Sequence, residues 1–123
     1  VRAIGPDAPG LVVVDDFSSG HRNALPARCD VRESDITTPR DMPTAGSSPS
    51  ALVHLAATID SAASVSDPGS TFPTNVSGSI ALLNAAVRGG VRYAVLCSTA
   101  SVYGASAAAP STQATAGVSP CAR

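Results

Sequence analysis

The stretch VVVDDFSSG (12–20) joins an apolar run to two adjacent carboxylates, Asp15 and Asp16, and then to a small polar turn ending in Gly20. A strand that finishes on an acid can present it to the two hydroxyls of a nucleotide ribose, and the same negative charge repels a 2′-phosphate. Such a strand ordinarily follows a glycine-rich phosphate loop by about 20 residues. Only ten residues precede Leu11 here. Asp15 and Asp16 also read as turn formers, because an Asp side chain accepts hydrogen bonds from the backbone two residues on.

Other residue types able to do chemistry are sparse. Asp35 reads as a capping acid and Ile36 as a core residue, while His54, inside an apolar run, reads as a packed strand residue rather than a catalyst. Cys29, Cys97 and Cys121 are odd in number and widely spaced, which fits neither a metal-binding CxxC pattern nor a disulfide framework. No metal site is expected, and the thiols are expected to be reduced and mostly buried. Cys121 has no His or acid close in sequence to activate it as a nucleophile.

The elements that must position these groups alternate between strand and helix. Residues 11–15 form a Val-rich run of the kind expected of a strand buried on both faces. Residues 28–32 alternate polar and apolar as a peripheral strand, ALVHLAA (51–57) reads as a third strand, and VRYAVLCS (91–98) as a fourth. Between the last two, Asp67 is placed to cap a helix, Pro68 suits its first turn, and Gly89 and Gly90 its stop. Phe72, Val76, Ile80, Leu83 and Val87 fall at helical spacing and predict its buried stripe. Pro73 removes a backbone donor inside that helix and predicts a late start or a kink, and Gly78 predicts close approach of a backbone or cofactor. PTAGSSPS (43–50) is a loop, residues 105–118 read as coil, and Ser119 with Pro120 opens a further helix. Alternation of this kind indicates a parallel α/β sheet.

Bulk properties agree with a single soluble domain. A chain of 123 residues can bury about two-thirds of its unfolded surface. The net charge of −1, without a basic stripe, argues against nucleic acid. No apolar stretch approaches the roughly 20 residues of a membrane span, and the start VRAIGPDAPG has no signal-like apolar core. A cytoplasmic protein is expected. All eight basic residues are Arg, with no Lys anywhere.

Taken together, VVVDDFSSG, the SDI at 34–36, HLAATIDSAASVSDP (54–68), NVSGS (75–79), STASVYG (98–104) and the SP before Cys121 resemble the extended short-chain dehydrogenase/reductases, and among them the NAD-dependent sugar-nucleotide epimerases and dehydratases. The resemblance spans nearly the whole chain and is most specific to the 4-epimerase branch through HLAATIDSAASVSDP. It implies a Rossmann-like parallel sheet with flanking helices, NAD as cofactor and a nucleotide sugar as substrate, the intact enzyme being a homodimer. It also implies that residues 1–123 are a partial NAD-binding domain, with the first strand and glycine loop upstream of residue 1 and the C-terminal substrate domain absent.

Carried over position by position, the resemblance gives Asp15, Asp16, Phe17, Ser18, Ser19 and Gly20 to the adenosine, and Asp35 and Ile36 to the adenine ring. Leu55, Ala56, Ala57 and Thr58 match the loop beside the pyrophosphate and nicotinamide ribose, and Asn75 matches a helix position that supports the nicotinamide loops. Thr99 matches the catalytic Ser/Thr hydroxyl, while Tyr103 belongs to a VYG that packs near substrate. The family's catalytic Tyr and Lys stand four residues apart on one helical face, where the ammonium lowers the phenol pKa. Cys121 occupies the Tyr position, and the Lys would fall two residues beyond Arg123. This departure implies that the chain alone does not perform the family reaction. Two alternatives remain open: a non-catalytic NAD-binding or regulatory module of the same fold, and a dehydratase, for which STASVYG lacks the acid beside the hydroxyl. In a sheet of order 3-2-1-4-5-6 the first strand is central. Without it the second and fourth strands are expected to separate or to close on each other, leaving low stability and exposed apolar surface.

Overall fold

The computed structural model of the chain describes residues 10–38 and 49–99. Tyr103, Cys121 and the helix start at Ser119 lie outside these residues, as does most of the 43–50 loop.

Four short strands form two parallel pairs. β1 (Val12–Asp15) pairs with β2 (Asp30–Glu33), Val12 opposite Asp30 and Asp15 opposite Glu33. β3 (Ala51–His54) pairs with β4 (Tyr93–Leu96), Ala51 opposite Tyr93 and His54 opposite Leu96. β1, β3 and β4 lie within their expected segments, and β2 runs one residue past the expected 28–32. No ladder joins β1 to β3 among the described strands, so the two pairs are separate sheets. The valines of β1 are half-buried rather than buried on both faces, and Val14 is the one that packs against the core.

The two sheets share one core. Ile36, just beyond β2, and Leu82 are its buried members, and Val14 of β1, Leu52 of β3 and Ala85 pack against them. Each buried aliphatic side chain contributes about 1.5–3 kcal/mol. Among the described residues the core is small, and Val53, Leu55, Ile59, Val65, Tyr93, Val95 and Leu96 are exposed.

The β3–β4 crossover is helical almost throughout. α1 (Ser61–Ser66) is capped by Asp60, whose carboxylate accepts from the Ala63 N–H. α2 (Pro68–Phe72) begins with Pro68 in its first turn, as the sequence suggests. Asp67 stands at the N-cap, yet its side chain makes no capping bond. Its carbonyl instead accepts from the Ser70 N–H and hydroxyl. A π-helical stretch (Pro73–Gly78) follows, and α3 (Ser79–Arg88) completes the rod. The π turn, with i→i+5 bonding, begins where Pro73 has no N–H to give to an α-helical ladder. The helix closes as a Schellman motif: Gly90 adopts φ +79°, its N–H bonds the Val87 carbonyl, and the Val91 N–H bonds that of Ala86.

The buried face differs from the predicted stripe. Phe72, Ile80 and Val87 are 56%, 57% and 75% exposed, and Val76 is exposed as well. Thr71, Gly78 and Leu82 are buried instead, with Ala85 packed against the core. A π turn holds more residues than an α turn, so everything after Pro73 is rotated relative to a straight 3.6-residue extrapolation. Gly78 is closely approached, but chiefly by a side chain rather than by the expected backbone or cofactor. A Cβ there would lie 2.9 Å from Ile36 Cγ1 and 3.0 Å from its Cδ1.

Candidate functional site

The strands' carboxyl ends, where open parallel sheets bind ligands, carry the residues of interest. At the end of β1, Asp15 Oδ1 accepts the Phe17 N–H at 2.7 Å. This bond holds Phe17 at φ +54°, a left-handed conformation unusual for a bulky side chain. Asp16 Oδ1 accepts the Ser18 N–H at 3.0 Å and its hydroxyl at 2.7 Å. Those two bonds, the backbone one foremost, hold the Asp16 carboxyl below its ordinary pKa. Both acids are therefore turn formers. Asp15 nonetheless stays exposed, and its carboxylate oxygens lie 3.9 and 4.0 Å from where a Cβ at Gly20 would stand.

The same turn brings up Arg22, on a 3₁₀ turn (Arg22–Ala24). Its guanidinium carbon sits 4.5 Å above the Phe17 ring centroid, and the group forms an ion pair with Glu33 at the end of β2. Beyond Glu33, Asp35 Oδ1 accepts the Thr37 N–H at 2.7 Å, in keeping with a local capping role, and Ile36 turns its side chain into the core.

Across from the Asp15 turn runs the exposed loop that leaves β3, residues 55–60. Ser18 and Ser19 on one side and Ala57, Thr58, Ile59 and Asp60 on the other enclose an open cleft of about 450 Å³. The fold thus brings Ser18 and Ser19 together with Ala57 and Thr58, all four expected near a nucleotide. Leu55 and Ala56 precede them on the same loop. Asn75, on the π turn, accepts the Thr58 N–H at 2.8 Å and donates to the Thr58 carbonyl at 2.9 Å. One carboxamide thus holds the loop as a neighbouring strand would. His54 is buried, its Nε2 lying 2.7 Å from Ser79 Oγ, which donates to the Asn75 carbonyl. It packs, as expected. Thr99 is exposed beyond β4, and Cys97, expected buried, is exposed because both β4 and its end lack cover from the described residues.

Asp60, Arg22 and Glu33 did not stand out from the sequence as site residues. Asp60 carries a legible signal, an acid directly before a run of small helix-compatible residues. Arg22 and Glu33 are 11 residues apart and meet only through β1–β2 pairing. Among the described residues no group of His, Cys, Asp and Glu could hold a metal ion, and no helix is long and apolar enough to cross a membrane.

An acid-tipped strand in a parallel α/β sheet, with a small-residue loop facing it across a cleft, is the arrangement of a dinucleotide-binding domain. The model of the NAD dependent epimerase/dehydratase family matches residues 3–123, and the chain belongs to that family. It is 40% identical over 98 residues to a UDP-glucose 4-epimerase of Rhizobium leguminosarum bv. trifolii, covering 76% of this chain and 29% of the relative. A UDP-glucose 4-epimerase of Azospirillum brasilense is 36% identical over 101 residues, with 80% and 29% covered. Among solved structures, a UDP-glucose-4-epimerase from Stenotrophomonas maltophila with bound NAD and formylated UDP-arabinopyranose superposes with a TM-score of 0.70 at 28% identity, over 81% of this chain and 32% of that one. A UDP-galactose 4-epimerase gives 0.73 at 26% identity, over 89% and 36%. The chain thus spans about 29% of the length of these curated relatives and has their Rossmann-type fold.

Proposed function

We propose that residues 1–123 form part of the NAD-binding domain of a nucleotide-sugar 4-epimerase. The observation that carries this reading is the exposed Asp15 carboxylate at the end of β1, over a turn whose Gly20 leaves room beside it. Asp15 accepts the adenosine ribose hydroxyls, with Asp16, Phe17, Ser18, Ser19 and Gly20 forming the turn around them. Asp35 and Ile36 border the adenine, Ile36 through its backbone because its side chain is engaged in the core. The small side chains of Ala56, Ala57 and Thr58 let the loop after Leu55 approach the pyrophosphate and nicotinamide ribose, and Asn75 holds that loop by its paired bonds to Thr58.

NAD, held by these residues, would supply reversible hydride transfer at the sugar C4. Thr99 contributes the hydroxyl near the reacting sugar, and Cys121 stands where the family has its proton-transferring Tyr. A thiol there has no Lys to organise proton transfer, since the 123 residues contain none. Residues 1–123 alone therefore do not epimerise. The intact enzyme is a cytoplasmic homodimer acting on a nucleotide sugar such as UDP-galactose. A second reading, a non-catalytic NAD-binding module of the same fold, is favoured by Cys121.

Calorimetric titration of the intact protein with NAD tests the assignment. Binding is expected, and Asp15→Asn weakens it about tenfold, the value of charge-assisted hydrogen bonds to a ribose. Absence of NAD binding by the intact protein, or an Asp15→Asn protein that binds equally well, overturns it. Conversion of UDP-galactose by residues 1–123 alone would overturn the statement that they do not epimerise.

A further inference from the structure

Glu33 is the sole glutamate of the chain. It stands directly opposite Asp15 in the parallel β1–β2 register, at the carboxyl end of both strands. Registered neighbours in a parallel pair point to the same face about 5 Å apart, so a second carboxylate lies beside the one read as the ribose acceptor. Glu33 pairs with Arg22, whose guanidinium also covers the Phe17 ring, and the Phe17 N–H is bound to Asp15. One cation is thereby held within two contacts of Asp15, and both of its attachments come from the protein.

A nicotinamide dinucleotide bearing a 2′-phosphate differs from one without it at this end of the molecule. Domains that accept the phosphate place an Arg near the strand tip to receive it. Arg22 has the position and the chemistry for that role, and Glu33 occupies it. We propose that Glu33 is a specificity-determining residue that disfavours the 2′-phosphorylated cofactor twice over, by adding negative charge beside Asp15 and by keeping Arg22 engaged. This rests on the reading of Asp15 as the ribose-binding acid.

The size of the effect follows from exposure. The Arg22 and Glu33 side chains are 56% and 59% exposed, so their pair is worth up to about fivefold in an equilibrium and weakens with salt. A phosphate offers Arg a bidentate, charge-assisted partner, and freeing Arg22 transfers it to that partner.

The test is calorimetric titration of the full chain with NAD and NADP at low ionic strength, for the wild type, Glu33→Gln and the double variant Glu33→Gln with Arg22→Ala. Glu33→Gln is expected to raise the NADP-to-NAD affinity ratio about fivefold, and removal of Arg22 to cancel the part of the gain that the freed guanidinium supplies. The proposal is overturned if Glu33→Gln still binds NAD but leaves the ratio unchanged, or if the double variant keeps the whole gain. A wild-type chain that binds neither dinucleotide instead overturns the underlying assignment, and this proposal with it.

Discussion

Substituting Gly78 by Ala sets two known effects against each other. In a helix the exchange is worth about 1 kcal/mol in favour of Ala. Against this, the added methyl would meet Ile36 Cγ1 at 2.9 Å, Cδ1 at 3.0 Å and the Pro73 carbonyl oxygen at 3.3 Å. Cγ1 is attached directly to the branched Cβ, so it moves only by rotating a stiff χ1 in the middle of the shared core. Over-packing of this kind costs about 1–3 kcal/mol. Taking the middle of that range, Gly78→Ala destabilises the contact by a net of about 1 kcal/mol, or about fivefold in the opening equilibrium. Amide hydrogen exchange at Leu82 and Ala85 measures this without requiring a cooperative global transition, and both are expected to exchange about fivefold faster. With Ile36 also replaced by Ala the two closest contacts are gone and only the 3.3 Å approach to the Pro73 carbonyl is left, so most of the penalty goes: adding Ala at 78 then no longer speeds exchange. Slower exchange of Gly78→Ala in the native background would refute the reasoning, because it would mean that Ile36 does not press on the helix.

Three further outcomes are expected. Asn75→Asp keeps the acceptor for the Thr58 N–H but sets a carboxylate against the Thr58 carbonyl, at a cost of about 1 kcal/mol, read as about fivefold faster exchange of the Thr58 amide. Asp60→Ala removes the cap of α1 at about 1 kcal/mol and raises exchange at Ala63, with little change at the amides of α3. Asp16 has its folded-state pKa lowered by the Ser18 bonds, so its contribution to the turn is fully present above its ordinary value near 3.8 and disappears as pH falls through the lower folded value. An NMR titration should show the Ser18 amide shifting only in that acidic window, and Asp16→Asn should abolish the shift.

The strands and the helix stop were legible because their causes are local. A Val-rich run marks β1 and an Ala- and Leu-rich one β3, and the Gly89–Gly90 pair supplies the left-handed residue that a Schellman ending requires. The turn-forming side of Asp15 and Asp16 was legible for the same reason. The helix face was not. Its orientation depends on the π turn after Pro73, which a fixed period of 3.6 residues does not anticipate, so the spacing of Phe72, Val76, Ile80 and Val87 pointed to the wrong side. α1 escaped notice because Ser61–Ser66 has little apolar periodicity and rests on the Asp60 cap. The grip of Asn75 on Thr58 spans 17 residues and joins a helix to a loop, so no local pattern reports it.

The contact between His54 and Ser79 also dictates where a single proton lies. A serine hydroxyl has one hydrogen to donate, and that of Ser79 goes to the Asn75 carbonyl at 2.9 Å. Its oxygen therefore serves His54 Nε2 as an acceptor, which puts a ring hydrogen on Nε2 at this contact. The residue whose carboxamide holds the β3 loop thus uses its main-chain carbonyl to aim the hydroxyl that receives the His54 ring at the end of β3.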